Sequence, residues 1–289
     1  MHVEVFDSRI CNLGEGPAWD AARQRVWWVD ITGQRVLWRA LDGRGAGEWP
    51  VGELIGAVIV RQDGALTVCL RDGLATLDPD TGAILPTLPL PDSHRLSSVP
   101  LRMNDAKVAP DGSLFAGTMF VDNSDDVEGK SALYRIRGND IAIAVPDVTL
   151  SNGLGWSPDR SRMYYVDTMT RRIDSFDLDD DGMPVNRRPF VDLGSPDLNP
   201  DGLAVDDEGG VWLAVWGGSQ VRRYDEMGAL TGVIEVPTPQ VSSCAFIGSG
   251  LRTLTITTAA VGLASEELAG AGLTYTCDAG VAGVPVTLL

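Results

Sequence analysis

The sequence has very little histidine and lysine. Among 289 residues there are two of each: His2, His94, Lys107 and Lys130. A zinc site of several histidines, a Ser-His-Asp triad or a Cys-His pair would have to use His94 or His2, which lies next to the start of the chain. The composition therefore disfavours histidine-based zinc and nucleophilic catalysis.

Cysteine is also scarce, and long apolar runs are absent. The four cysteines lie far apart with no C-x-x-C pair, which argues against a zinc knuckle or a redox motif and favours small buried hydrophobic roles. They are Cys11, Cys69, Cys244 and Cys277. No apolar run reaches 18 residues, and the first residues lack a basic region followed by an apolar stretch. We therefore expect a cytoplasmic protein.

The remaining composition points to an acidic all-β protein. The 40 acidic and 23 basic residues give a net charge of -17, which disfavours nucleic acid and anionic membranes as partners. A chain of this length can bury about 73% of its unfolded surface, so it does not need disulfide bonds or a structural metal to fold. The 33 glycines and 17 prolines favour many short strands joined by tight turns.

A repeated unit divides the chain into six parts. Each copy is a short strand ending in an apolar anchor, then a turn rich in Asp and Gly, then a second apolar strand. The anchors are Trp19, Val60, Val108, Trp156, Val205 and Phe246. They recur at intervals of about 40 to 50 residues, the period of a four-stranded propeller blade.

This period predicts an all-β, six-bladed β-propeller, with four-stranded antiparallel blades around a central channel and a single domain over residues 1–289. A two-sheet sandwich with accidental periodicity is the alternative, and six copies with matched internal offsets argue against it. Both ends of the chain, MHVEV and VPVTLL, have a strand-like pattern. One of them should pair with the sixth blade and close the ring.

The innermost strands of a propeller bring equivalent positions together at the axis. The position four residues before each anchor is polar in most copies, whereas its neighbours in the repeat are glycine or apolar. These positions are Glu15, Gly56, Asn104, Asn152, Asp201 and Ser242, here called the ring positions. Carboxylate and amide oxygens are ligands that Ca²⁺, Mg²⁺ and Mn²⁺ prefer. The pattern therefore predicts a divalent cation in the channel.

A long loop over residues 119–131 should overhang the same mouth of the channel. It joins a second strand to a third strand and brings Asp122 and other acidic residues near Arg102 and Asn104. A lidded cleft with one arginine, several acids and a metal suits a small polyhydroxylated substrate.

Five short blocks carry a family resemblance. They are L-G-E-G-P (13–17), R-M-N-D (102–105), F-A-G-T-M (115–119), S-N-G-L-G-W (151–156) and P-D-G-L-A-V-D (200–206). Together and in this order, the blocks resemble the gluconolactonase and regucalcin family, which includes senescence marker protein and relatives of luciferin-regenerating enzyme. The resemblance spans nearly the whole chain and implies a six-bladed propeller that hydrolyses sugar lactones with one divalent cation: Ca²⁺, Zn²⁺, Mn²⁺, Mg²⁺ or Fe²⁺.

The resemblance also implies roles for individual residues. By position in the blocks, the metal ligands would be Glu15, Asn152 and Asp201. The substrate-binding residues would be Arg102, Asn104 and Asp122, where Asp122 is one methylene shorter than the glutamate that relatives often carry. Asp201 would also act as the general base. The substrate would be an aldonolactone such as a glucono-, xylono- or arabinonolactone.

The implied chemistry agrees with the composition. A metal that polarises the lactone carbonyl and lowers the pKa of bound water leaves no task for a nucleophilic side chain, which fits the shortage of histidine. Arg102 and the metal would stabilise the developing oxyanion, and Asp201 would accept the proton.

Several alternatives stay open at this point. The propeller could bind calcium or another ligand without catalysis, or it could hydrolyse organophosphates or other esters with the same metal. Arg102 could serve only as a counter-ion for Asp105 or Asp122. Asn152 and Asp201 each precede a glycine, and such pairs are strong turn formers.

Overall fold

The computed structural model describes residues 2–91, 99–121 and 126–289 of the chain. The described residues form short β-strands and two single-turn 3-10 helices, Thr168–Thr170 and Ser265–Glu267. Neither of these helices is long and apolar enough to cross a membrane.

The structure contains 24 β-strands among the described residues, numbered here in chain order. They are β1 (Glu4–Asp7), β2 (Gly14–Asp20), β3 (Arg25–Asp30), β4 (Arg35–Ala40), β5 (Ala46–Pro50), β6 (Ile55–Val60), β7 (Leu66–Leu70), β8 (Gly73–Leu77), β9 (Ile84–Pro89), β10 (Leu101–Val108), β11 (Leu114–Phe120) and β12 (Ser131–Arg137). The later strands are β13 (Asp140–Val148), β14 (Ser151–Trp156), β15 (Arg162–Asp167), β16 (Arg172–Leu178), β17 (Pro184–Asp192), β18 (Asn199–Val205), β19 (Val211–Trp216), β20 (Gln220–Tyr224), β21 (Leu230–Glu235), β22 (Val241–Ile247), β23 (Thr253–Thr258) and β24 (Thr274–Asp278).

These strands form six four-stranded antiparallel sheets. Blades one to five each consist of four consecutive strands, starting with β2, β6, β10, β14 and β18. Blade six has the order β22, β23, β24, β1. The first strands of neighbouring blades contact one another in a closed cycle, so they surround a central channel. The predicted six-bladed β-propeller is therefore confirmed.

The second strand of each blade supplies much of the core. Successive side chains of a strand point to opposite faces, so adjacent residues pack against different neighbouring blades. In β3, Trp27 packs with Ile55 of blade two, whereas Trp28 packs with Ile247 of blade six. Both tryptophans are fully buried, and all four cysteines are buried and free, as the composition suggests.

The ring is closed by the beginning of the chain. Strand β1 pairs antiparallel with β24, with Glu4 opposite Thr276 and Val5 opposite Tyr275. Asp7 at the end of β1 is buried and forms an ion pair of 2.9 Å with Arg9. The sequence left both ends of the chain as candidates, and the structure selects the first.

The end of the chain instead crosses one mouth of the channel, here called the lower mouth. The Val284 N–H donates to the Val205 carbonyl in blade five, and the Leu289 N–H donates to the Val60 carbonyl in blade two. Leu288 and Leu289 are partly buried and pack against the cores between blades one, two and three. Residues 284–287 thus line one end of a cavity of about 520 Å³ inside the channel.

Candidate active site

The ring positions lie near the start of the six first strands, at the mouth opposite residues 284–287. The pairing between the first and second strands shifts register at the ring position in five blades, and directly after Glu15 in blade one. A β-bulge bends its strand and changes the direction of the side chain at that point. The local bulges therefore turn equivalent side chains toward the axis.

Asn152 and Asp201 lie inside strands β14 and β18 and are buried. The alternative in which these residues only form Asn-Gly and Asp-Gly turns is therefore wrong. The glycines that follow them have a packing reason instead. A Cβ atom at Gly153 would collide with the backbone of Asp201 and Gly202 in the next blade.

A chain of hydrogen bonds connects the polar ring positions of blades three and four. The Arg102 guanidinium donates to Asn104 Oδ1 at 2.7 Å and to the Met103 carbonyl at 3.0 Å. Asn104 Nδ2 donates to the Ser151 carbonyl at 2.8 Å and to Asn152 Oδ1 at 3.3 Å. Asn152 Nδ2 donates to Thr168 Oγ1 at 3.0 Å. These contacts fix the orientations of both amides.

The carboxyl groups of Glu15 and Asp201 are both buried and lie close to each other. Burial, reinforced by the charge of Asp105, raises the pKa of Glu15 to about 8. Burial and the charge of Glu15 also raise the pKa of Asp201 well above its usual range. Each of the two carboxyl groups affects the pKa of the other, so they lie close together. Without a bound cation, at least one of them should hold a proton at neutral pH, because two buried carboxylates would repel each other.

Arg102 faces these carboxylates without a direct ion pair to any described residue. Its side chain is 7% exposed, and burial lowers its pKa to about 10, so it stays protonated at neutral pH. The charges of Glu15 and Asp201 oppose that shift. The charged partner of Asp105 is Lys107 rather than Arg102. The counter-ion role of Arg102 toward Asp105 is therefore not what the structure shows, and Asp122 lies outside the described residues.

Asp105 and Lys107 form a buried charged pair that the family blocks and the ring positions do not predict. Both line the channel beneath the ring positions. Lys107 Nζ donates to the Leu203 carbonyl at 2.8 Å, and burial lowers its pKa while Asp105 opposes the shift. Their spacing of two residues in a strand places them on one face, so strand periodicity could have revealed the pair.

The donor set at the ring fits a hard divalent cation. Asp201 Oδ1 is buried and accepts no hydrogen bond from any described residue. Glu15, Asn152 and Asp201 offer oxygen atoms, the type that Ca²⁺ and Mg²⁺ take. No group of three or more His, Cys, Asp or Glu side chains arranged for a metal occurs among the described residues. A cation here would therefore depend on the Asn152 amide as well as on carboxylates.

Comparisons with known proteins agree with this architecture. Residues 13–260 match the SMP-30/Gluconolactonase/LRE-like region. The chain is 35% identical to an L-arabinolactonase of Azospirillum brasilense over 262 residues, 89% of this chain and 84% of the relative. It is also 35% identical to a pentonolactonase of Haloferax volcanii, over 96% of this chain and 92% of the relative.

A solved structure shows the same fold over the full length. The calcium-binding protein regucalcin of Agrobacterium tumefaciens superposes with a TM-score of 0.89 at 28% identity, covering 99% of this chain and 96% of that protein. With the bulged ring, the paired buried carboxyl groups and the match over residues 13–260, the chain belongs to the SMP-30/gluconolactonase/LRE-like family.

Proposed function

We propose that this protein hydrolyses a sugar lactone to its aldonic acid, with one divalent cation held by Glu15, Asn152 and Asp201. The proposed substrates are aldonolactones such as glucono-, xylono- and arabinonolactone. The lactonase names of the relatives from Azospirillum and Haloferax support this reaction class.

The main support for this proposal comes from the surroundings of the Asp201 carboxyl group. Asp201 is 6% exposed, its carboxyl group interacts with that of the buried Glu15, and its Oδ1 atom has no hydrogen-bond partner among the described residues. A carboxylate in that state needs a cation or a proton. When bound, a divalent cation supplies a Lewis acid for the lactone carbonyl and lowers the pKa of water.

Arg102 and Asn104 have the chemistry to hold the substrate. Arg102 presents a buried positive charge that hydrogen-bonds the Asn104 amide, and both groups sit beside the carboxylates. In a site shielded from water, that charge favours the oxyanion that develops on the lactone carbonyl. Hydrogen-bonding groups of this kind also suit the hydroxyls of an aldonolactone.

Asp201 is the proposed general base. As water adds to the carbonyl carbon, Asp201 accepts its proton. The bond between that carbon and the ring oxygen then breaks, and the proton passes to the leaving ring oxygen. The products are a carboxylate, a hydroxyl group and one released proton.

The test is acid release measured at constant pH on a panel of aldonolactones. Metal-stripped protein should turn over at the uncatalysed rate, and adding back Ca²⁺, Mg²⁺, Mn²⁺, Zn²⁺ or Fe²⁺ singly should identify the cation that restores activity. With that cation, Asp201→Asn should lose at least about 100-fold in kcat/KM, because the substitution removes both a ligand charge and the base.

Asp180→Asn is the matched control, because Asp180 is exposed in the turn between the outer strands β16 and β17. Full activity of Asp201→Asn or of the metal-stripped protein would contradict the proposal. Cation binding without turnover on any lactone would favour a non-catalytic calcium-binding protein. Faster turnover of phosphotriesters than of lactones would favour an organophosphate hydrolase.

A further inference from the structure

The backbone carbonyl directly before each polar ring position of blades one, three, four and five accepts a hydrogen bond from a side chain. Ser242 Oγ donates to the Gly14 carbonyl at 2.5 Å, and Arg102 donates to the Met103 carbonyl. Asn104 Nδ2 donates to the Ser151 carbonyl. Thr168 Oγ1 donates to the Pro200 carbonyl at 2.8 Å. Side chains thus hold the backbone at the bulges that turn the ring residues inward.

Thr168 differs from the other donors because it lies outside the repeated first strands. It starts the 3-10 helix Thr168–Thr170 after β15, and its side chain is buried. Its own backbone is anchored, since its N–H donates to the Leu150 carbonyl and its carbonyl accepts from the Arg171 N–H, both at 3.0 Å. The hydroxyl group is therefore held at a fixed point beside the ring.

The Thr168 hydroxyl acts as a hydrogen-bond donor to one partner and as an acceptor from the other. It has one hydrogen, which it gives to the Pro200 carbonyl, so toward Asn152 it can only accept. Asn152 must then present Nδ2 to Thr168, and this directs Oδ1 to the opposite side, where Asn104 also donates to it. With the amide held in this orientation, Oδ1 is the atom through which Asn152 would bind a cation.

The same hydroxyl also connects two blades. It binds the side chain of Asn152 in blade four and the carbonyl before Asp201 in blade five. These are two of the three proposed ligands, so one oxygen atom sets both the orientation of the first and the backbone position of the second.

We infer that Thr168 is a positioning residue of the metal site, which fixes the Asn152 amide and the Asp201 backbone for cation binding. The inference rests on the proposed function for the identity of the ligands. Groups that orient metal ligands in this way change metal affinity by about 10- to 100-fold when they are removed.

The experiment uses Thr168→Val, which keeps the shape and removes the hydroxyl, and Thr168→Ser, which keeps the hydroxyl. The affinities of metal-stripped protein for Ca²⁺ and for Mn²⁺ are measured by titration calorimetry, with no substrate present. We expect Thr168→Val to bind about 10- to 100-fold more weakly than the wild type. Thr168→Ser should bind within about threefold of the wild type.

Thr170→Val is the matched control, because Thr170 lies in the same short helix, donates to the Asp167 carbonyl and forms no hydrogen bond with a ring position among the described residues. Equal affinities of Thr168→Val and the wild type would overturn the positioning role, as would an equally large loss in Thr168→Ser. If the wild type binds none of Ca²⁺, Mn²⁺, Mg²⁺, Zn²⁺ and Fe²⁺ in the same titration, both the positioning role and the proposed metal site are wrong. Lactone turnover is measured separately, so absence of turnover with normal cation binding contradicts only the proposed reaction.

Discussion

The charge balance at the ring positions centres on the buried carboxyl groups of Glu15 and Asp201. Three buried carboxylates, those of Glu15, Asp105 and Asp201, face two buried cations, Arg102 and Lys107. If all five groups were ionised, their net charge would be −1. A bound divalent cation would change the net charge of the cluster to +1. The protein without a cation has to bind protons instead, so its stability should depend on pH.

The pH prediction concerns the free energy of unfolding of the metal-stripped protein. The pKa of Glu15 rises from its ordinary value of 4.5 to about 8 on folding, and that of Asp201 rises as well. The folded state therefore binds more protons than the unfolded state between these values, so stability is lost as the pH rises toward 8. The melting temperature, followed in a chelator from pH 5 to pH 8, should fall.

Glu15→Gln should flatten this dependence, since the amide does not titrate. Glu53→Gln, at an exposed position, should leave the dependence as it is in the wild type. Saturating cation at pH 8 should restore the melting temperature of the wild type, because it binds the folded state. A melting temperature that rises from pH 5 to pH 8 without metal would contradict the assignment of the two carboxyl groups.

Some residues of the candidate site can be predicted from the sequence and others cannot. Repeated positions and family blocks are enough to predict five of the site residues: Glu15, Arg102, Asn104, Asn152 and Asp201. Thr168 was not found, because it follows a second strand and reaches the ring only through a 3-10 turn. A hydrogen bond from a loop of one blade to a neighbouring strand leaves no period in the sequence.

At the scale of elements, the bulged first strands depend on close approach. In blade two the ring position is Gly56, which the repeat pattern shows as a break in the polar series. A Cβ atom there would collide with the backbone carbonyls of Met103 and Asn104 in blade three. The glycine therefore lets β10 lie close enough for Asn104 and Arg102 to reach the site.

Gly56→Ala should destabilise the protein by about 1 to 3 kcal/mol, since the new methyl group forces the two strands apart. It should also weaken lactone binding through Arg102 and Asn104, seen as a higher KM. Both effects are measurable by urea unfolding and by steady-state kinetics.

Gly232→Ala is the matched control for that substitution. Gly232 lies in the outer strand β21, where a Cβ atom meets only the Cβ of Arg223 at an ordinary 3.6 Å. We expect a change within about 0.5 kcal/mol there. If the two alanine variants are equally stable, close packing at Gly56 does not support the site.

At the scale of the whole molecule, the repeat period was enough to predict the ring. The second apolar strand that the repeat predicts after each anchor is present in every blade, as with β7 (Leu66–Leu70) after Val60. The strand that closes the ring could not be predicted, because both chain ends have the same apolar pattern. At the C-terminal side, Leu288 and Leu289 are partly buried against the cores of neighbouring blades and do not add a strand to a sheet edge.

Deleting residues 2–8 should lower the melting temperature by about 5 °C or more, because blade six loses its outer strand and the Asp7 ion pairs. The exposed edge of β24 should also promote association between molecules. Differential scanning fluorimetry and light scattering measure the two effects. Deletion of His2 alone, which precedes β1, is the control, and an unchanged melting temperature without residues 2–8 would contradict the role of β1.

Closure of blade six by β1 also has a consequence during synthesis on the ribosome. Strand β1 begins at Glu4, whereas its partner β24 begins at Thr274. At about 5 to 20 residues per second, β1 waits roughly 15 to 50 s for its partner to be translated. Its charged residues Glu4 and Asp7 discourage pairing with other chains during that interval. The two acidic residues of β1 thus disfavour edge-to-edge pairing of this strand until the last blade is made.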